Sequence, residues 1–300
     1  MSKPRPLPDD LAGRAFARAD LVEHRRSKGR ATRKDLVHPF HGVHAADAPT
    51  TLIDLCRAYA VRMRAGQSFC HATAAQLHGM PLPARLRPLA PVHVAAVRPA
   101  SPPRTRGVVG HRLSAQPVLQ TIDGLVVCVP SEAWVQLADD LDLDELVEVA
   151  DHLLTVSPLG PDATRALLRR RIEAVRRRAS ARLHAALELA RCPVLSPGET
   201  RVRLLLVRSG VPEPECNGTV FRNSDGTYLG RPDLVWRRAR VAVEYEGGGH
   251  ADPPQMRIDI ARYEAFREEG WLVLRATSDD LLPAAGAVLV RRVQAALERR

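Results

Sequence analysis

The sequence predicts an α/β chain of the α+β kind, and three observations carry that reading. Residues 231–250, RPDLVWRRARVAVEYEGGGH, read as two short strands, Asp233–Trp236 and Val241–Glu246, joined by a tight basic turn. Both runs are rich in β-branched and aromatic residues, and Gly247–Gly249 breaks the second sharply. Further strand candidates, Val92–Val97, Val108–Arg112 and Leu125–Val129, are separated by loops of Pro and Arg. Helical stripes recur elsewhere, as in Leu52, Leu55, Tyr59 and Met63. The expected organisation is a short first segment over 1–50, an α/β domain over 51–156, an arginine-rich linker helix within 157–192 and a last domain over 193–300.

A length of 300 residues suggests two domains with a small third unit, and 45% hydrophobic content allows cores of ordinary size. The net charge of +10 favours an anionic polymer as partner. Arginine-rich usage also follows from high genomic GC content, so charge alone says little. Cys56, Cys70, Cys128, Cys192 and Cys216 form an odd, scattered set without a C-x-x-C pair, against a disulfide framework or a zinc knuckle. No apolar run reaches membrane-spanning length, and MSKPRPLPDD lacks the apolar core of a signal peptide. The expectation is a reduced, cytoplasmic, soluble protein.

The first segment shows short helical patterns at Asp20–Ser27 and Thr32–Leu36, interleaved with Arg25, Arg26, Lys28, Arg30, Arg33 and Lys34. It reads either as an abbreviated helix-turn-helix or as a solvated basic arm. His38, His41 and His44 recur without a fixed helix or carboxylates to make a metal site of them. Next, Thr51–Arg64 and Gln67–Gly79 read as helices, followed by the three strands and by helices Ser131–Ala138 and Leu143–Leu154. His71 and His78, two turns apart on one helix, suit a core or helix-packing role.

After a Pro- and Gly-rich linker, Thr164–Leu189 reads as one long amphipathic helix with Leu168, Ile172, Val175, Ala179 and Leu183 in a stripe. Between Arg165 and Arg182 lie eight arginines and one glutamate. Arg169, Arg170, Arg176 and Arg177 are therefore candidates to follow a phosphate backbone, or form a solvated face.

The last domain opens on Ser196-Pro197-Gly198-Glu199, with Ser at N-cap, Pro at N1 and Glu at N3: a complete capping box. Asn223-Ser224-Asp225-Gly226 is a hairpin signal, and Gln255–Glu269, Trp271–Arg275 and Leu281–Leu297 read as helix, buried strand and closing helix. With the basic turn centred on Arg238 and Ala239, Trp236 faces Val241 and Asp233 faces Glu244. Side chains alternate, so Glu246 shares that face and Tyr245 points away. Like charges so opposed destabilise the pair unless a cation sits among them, and such oxygen ligands suit Mg²⁺ or Mn²⁺.

At these residues the sequence resembles the PD-(D/E)xK nucleases, and more closely their uncharacterised bacterial branch related to very-short-patch mismatch-repair endonucleases. The matching residues are Glu199, Pro232-Asp233, Glu244-Tyr245-Glu246-Gly247, His250, a helix with Arg257, Asp259 and Arg262, and the strand Trp271–Arg275. The superfamily's lysine is absent and Glu246 stands in its place, followed by Gly and then His, as is usual in this branch. The resemblance implies a restriction-endonuclease-like domain with a central mixed sheet flanked by helices. Asp233 and Glu244 would hold a divalent metal, with Glu199 near it. The strings FCHATAAQLHG and VPSEAWVQLAD, with the strands between, resemble the middle domain of abortive-infection-type antitoxin regulators.

The expected chemistry is hydrolysis of a DNA phosphodiester by a metal-polarised phosphoryl group and an activated water. His250 or Glu246 would orient or deprotonate that water, and Arg257 and Arg262 would hold the scissile phosphate. Alternatively these arginines form salt bridges to Asp259, Glu264 or Glu268. The expected partner is double-stranded DNA, with no membrane. A second expectation is a non-catalytic DNA-binding regulator with a degenerate nuclease fold, and a third is the partner of a toxin-like protein.

Overall fold

The computed structural model describes residues 6–24, 31, 33–174, 179–222, 225–247 and 253–299, with backbone alone for 253–257. The basic residues Arg25, Arg26, Lys28 and Arg30, together with Arg176, Arg177 and His250, lie outside the described residues, as does the Arg257 side chain. The chain divides into two compact units, Met1–Asp140 and Leu141–Arg300, each mixed α/β. Among the described residues no helix is long and apolar enough to cross a membrane.

The first unit begins with α1 (Asp9–Ala12), β1 (Phe16–Ala17), α2 (Arg18–Glu23) and β2 (Val43–His44), gathered around Leu11, Phe16, Leu21 and Leu36. Residues 33–36, expected to be helical, form a turn. Next come α3 (Leu52–Ala60), β3 (Gln67–Phe69), α4 (His71–Leu77), β4 (Val92–Val97) and β5 (Val108–Leu113). The hairpin β6 (Leu119–Ile122) and β7 (Leu125–Cys128) leads into α5 (Pro130–Gln136). The five strands form one mixed sheet in the order β5-β4-β3-β7-β6. Asp123 and Gly124, at φ +48° and +81°, make the β6–β7 turn in the left-handed conformation that an Asp-Gly pair supplies.

The second unit starts with α6 (Leu143–Val156), capped reciprocally by Asp142 and Glu145. Helices α7 (Pro161–Ala174) and α8 (Ser180–Leu189) replace the single helix expected over 164–189. They fold back on each other, with Arg165 Nη2 donating to Ala190 O at 2.8 Å and Arg169 meeting Glu188 at 2.9 Å. Buried Leu168, Ile172, Leu183 and Leu187 explain the fold-back, because one stripe closes on itself.

Then follow α9 (Pro197–Arg208), β8 (Glu215–Cys216), β9 (Val220–Phe221), β10 (Tyr228–Gly230), β11 (Leu234–Trp236) and β12 (Val241–Glu246). The chain ends with α10 (Pro253–Glu268), β13 (Leu272–Thr277) and α11 (Pro283–Glu298). The main sheet runs β13-β12-β11-β8, with β12 and β13 parallel and the other pairs antiparallel. One apolar layer packs α9 and α11 against Leu234, Val241 and Val243; the other packs Phe266 of α10 against Val235 and Ala242.

The break between units falls after Asp140, not at the expected 156. Helix α6 is claimed by α9: Asp151 accepts from Arg203 at 3.0 Å and from Thr200 at 2.8 Å, all three side chains being buried. Glu148 takes a bidentate pair from Arg201, and Asp144 another from Arg208. The Asp151 and Arg203 charges, both buried, would each cost several kcal/mol unless paired, so this contact above all ties α6 to its partner helix.

Candidate functional site

The β11–β12 hairpin has the expected register, Leu234 opposite Val243, Val235 opposite Ala242 and Trp236 opposite Val241. Its turn closes with Arg240 N–H donating to Arg237 O at 3.1 Å, and Arg240 adopts φ +48°. Asp233 sits just before β11, and its Oδ2 accepts from Tyr245 N–H at 2.6 Å, across the hairpin. Tyr245 points to the opposite layer, where its ring lies against Gly198; a Cβ there would sit 2.0 Å from Tyr245 Cε1.

Glu244 is 7% exposed. Its Oε2 accepts from Arg262 Nη2 at 3.0 Å and from the Tyr263 hydroxyl, whereas its buried Oε1 has no hydrogen-bond partner among the described residues. Glu199 is also buried, and its Oε2 accepts from Asn217 Nδ2 at 2.7 Å and Leu195 N–H at 2.9 Å. The expected capping box is therefore half made. Ser196 Oγ accepts from Glu199 N–H, but Glu199 reaches Leu195 rather than the Ser196 N–H, drawn aside by Asn217.

These placements set the electrostatics of Asp233. Burial pushes its carboxyl up to about 7, the neighbouring Glu199 and Glu244 charges push the same way, and the Tyr245 N–H and Arg262 pull against them. Burial and the hydrogen bond to Glu244 likewise raise the Tyr263 hydroxyl. The second charge beside Asp233 is thus Glu199. Glu246, expected to converge with Asp233 and Glu244, is engaged by Arg275 of β13 in a bidentate pair at the surface. The parallel register sets Arg275 opposite Glu244 and so within reach of its neighbour but one.

Arg262 pairs with Glu244 and, at 3.5 Å, forms the salt bridge to Asp259 that was the alternative expected for it. Arg169 and Arg170 are exposed on α7. Tyr263, Asn217 and Arg275 were not singled out in the sequence. Asn217-Gly218, with Asn217 at φ +49°, was the available signal, because an Asn-Gly pair marks a left-handed turn.

A second cluster lies in the first unit. Cys70, His71 and His111 each place one donor atom within 4.8 Å of the others, a group that could hold a metal ion. Among the described residues no other group of three His, Cys, Asp or Glu is as compact. His78 stands apart from it, its Nε2 hydrogen-bonded to Cys128 O at 2.7 Å, in the packing role its position suggested. Comparison of the chain with protein-family models and with curated protein sequences finds no match to either.

Proposed function

We propose that the second unit is a metal-dependent, restriction-endonuclease-like domain that hydrolyses phosphodiester bonds of double-stranded DNA. One observation carries this reading: Asp233, displaced to about 7, lies beside Glu244, whose buried Oε1 has no hydrogen-bond partner among the described residues. Buried polar atoms are rarely left unsatisfied, and a pair of crowded carboxyls is the donor set that hard divalent cations take. The residues therefore fit Mg²⁺ or Mn²⁺, held by Asp233 and Glu244 with Glu199 alongside. Such an ion supplies Lewis-acid polarisation of the phosphoryl oxygen and lowers the pKa of bound water.

The chain's own groups do the rest. Arg262 and Tyr263 fix the Glu244 carboxylate from one side, and Asn217 holds Glu199. Glu246 is occupied by Arg275, which leaves His250 as the group to orient or deprotonate the water. A central mixed sheet with helices on both faces also fits the fold that the resemblance implies.

The regulator reading has its own support. In the first unit a pocket of about 390 Å³ is lined by Arg62, Arg64, Arg104 and Arg112 beside Tyr59, a setting for phosphate oxygens. The test is incubation of the purified full chain with supercoiled and mismatched DNA in Mg²⁺ or Mn²⁺. Nicking that Asp233→Asn and Glu244→Gln abolish while DNA binding persists is the expected result. Wild-type protein that binds DNA but never nicks it with any divalent ion would sink the nuclease reading. Loss of that binding in Arg62→Gln/Arg104→Gln/Arg112→Gln would then assign it to the first unit.

A further inference from the structure

We infer that the first unit carries a transition-metal site, separate from the carboxylates of the second unit, in which Cys70, His71 and His111 bind a borderline-soft divalent ion, Zn²⁺ foremost. The donors come from two elements that the sheet brings together. Cys70 is the N-cap of α4 and His71 its first residue, and Cys70 N–H donates to His93 O on β4 at 3.1 Å. The parallel β4–β5 register sets His111 opposite Ala95, so His93 and His111 lie diagonally on one face of the sheet. Thr73 Oγ1 accepts from His93 N–H at 2.8 Å and locks α4 to that strand.

Several features of the cluster exceed what packing alone requires. His71 holds φ +47°, a conformation that costs a non-glycine residue on the order of 1 kcal/mol or more, and Gln136 Oε1 accepts its N–H at 2.9 Å to keep it there. The His71 and His111 rings stack with centroids 3.6 Å apart, and the His93 ring lies 5.1 Å from His111.

His93 supplies what a metal-bound histidine ordinarily has, a partner for its other ring nitrogen. Its Nδ1 lies 2.9 Å from His111 Nε2. With the hydrogen on His111 Nε2 donating to His93, His111 Nδ1 is the nitrogen that would meet the metal.

The donor chemistry selects the ion. One thiolate and two imidazoles suit zinc, cobalt or copper and not Mg²⁺ or Ca²⁺, which take oxygen ligands. Tetrahedral zinc with bonds of about 2.0–2.3 Å sets its ligands roughly 3.3–3.8 Å apart, so the donors must draw in by about 1–1.5 Å and the stacked His71 and His111 rings must tilt until both lone pairs meet the ion. Three protein ligands leave a fourth position for water or another ligand. His111 is half-buried on β5, at the sheet edge, and gives the ion a way in.

The experiment uses the full chain, stripped with a chelator and titrated with Co²⁺ as a spectroscopic probe and with Zn²⁺ against a chromophoric competitor. The expected result is a sulfur-to-cobalt charge-transfer band that saturates at one equivalent and disappears in Cys70→Ser. Zinc affinity should fall by at least about a hundredfold in Cys70→Ser and roughly 10–100-fold in His93→Gln, whose effect runs through His111. Asp233→Asn should leave the band and the zinc affinity unchanged, so this site and the proposed nuclease site fail or succeed separately. Absence of the band in the wild type, or its persistence in Cys70→Ser, would overturn the inference. Both readings stand even if a histidine variant fails to fold.

Discussion

Asp233→Asn should stabilise the protein in chelator, and the gain should grow with pH. In the unfolded chain the Asp233 carboxyl titrates near 3.8; in the fold it titrates at about 7. Below pH 4 both states hold the proton and the site contributes nothing. Between pH 4 and 7 the folded state keeps its proton while the unfolded state has released it, so stability falls as pH rises through this window. Above pH 7 the folded state carries the whole penalty of an ionised, buried carboxylate beside Glu199 and Glu244. Each pH unit of displacement is worth roughly 1.4 kcal/mol, so the penalty is on the order of 4 kcal/mol as an upper figure. Asparagine removes it, and its side-chain oxygen can still accept from Tyr245 N–H as Asp233 does.

Calorimetric melting of the full chain reads this out, because the first unit serves as an internal reference. At about 2–4 °C per kcal/mol, the second-unit transition of Asp233→Asn should rise by about 10 °C at pH 8. The rise should be no more than about 4 °C at pH 5, where most of the penalty is absent. An equal rise at both pH values, or a fall at pH 8, would refute the account of a desolvated, crowded carboxyl. Manganese adds a second arm. A ligand at 100 times its Kd stabilises the folded state by about 2.7 kcal/mol, which wild type should gain and Asp233→Asn should lose. Equal responses would mean that the carboxyls hold no metal.

Arg203→Met should cost about 3–5 kcal/mol in denaturant unfolding, since it leaves Asp151 buried beside α9; Asp151→Asn in the same chain should recover much of it. No loss would mean that this pair does not fasten α6. Gly198→Ala should cost at least roughly 1–3 kcal/mol through the Tyr245 ring, and Tyr245→Ala should make the same substitution nearly neutral; an unchanged melting curve for the single variant would contradict the close approach. Ser196→Ala should cost about 1 kcal/mol with or without Mn²⁺, as the loss of the Glu199 N–H acceptor. A metal-dependent cost would place Ser196 in the site itself.

What could be read in the sequence was local. The β11–β12 register follows from a four-residue turn and strict alternation, so counting outward from Arg238 and Ala239 places Trp236 opposite Val241. The unit boundary was misplaced because it depends on Asp151 meeting Arg203, two residues far apart whose pairing no local pattern announces. The helix hairpin α7–α8 was read as one helix because neither Gly nor Pro stands between Ala174 and Ser180. Strand β3 was absorbed into the helix after it, its three residues being too few to show a period. Strand β6 could have been found from Asp123-Gly124. Asp233 and Glu244 were found by residue type and hairpin register and Glu199 by resemblance, but that Glu246 does not join them was decided by β13, whose Arg275 takes it out of the group. The Cys70–His71–His111 cluster escaped because its donors sit on a helix start and an edge strand, and spacing rules see only ligands close in sequence.

Arg262 decides how the Glu244 pairing should be understood. Four arginine–carboxylate pairs of this protein use both oxygens: Arg201 spans Glu148, Arg208 spans Asp144, Arg237 spans Glu215 and Arg275 spans Glu246. Such bidentate pairing is the stronger and better-fixed arrangement. At Glu244 the arrangement is one-sided. Arg262 and Tyr263 crowd onto Oε2, and the buried Oε1 meets no donor among the described residues. Arg262 also lowers the Asp233 carboxyl only weakly, last among the influences on it, so the repulsion among Asp233, Glu244 and Glu199 is incompletely offset. The asymmetry orients one oxygen of Glu244 with protein donors and leaves the other to a cation that would bind alongside Arg262 rather than replace it.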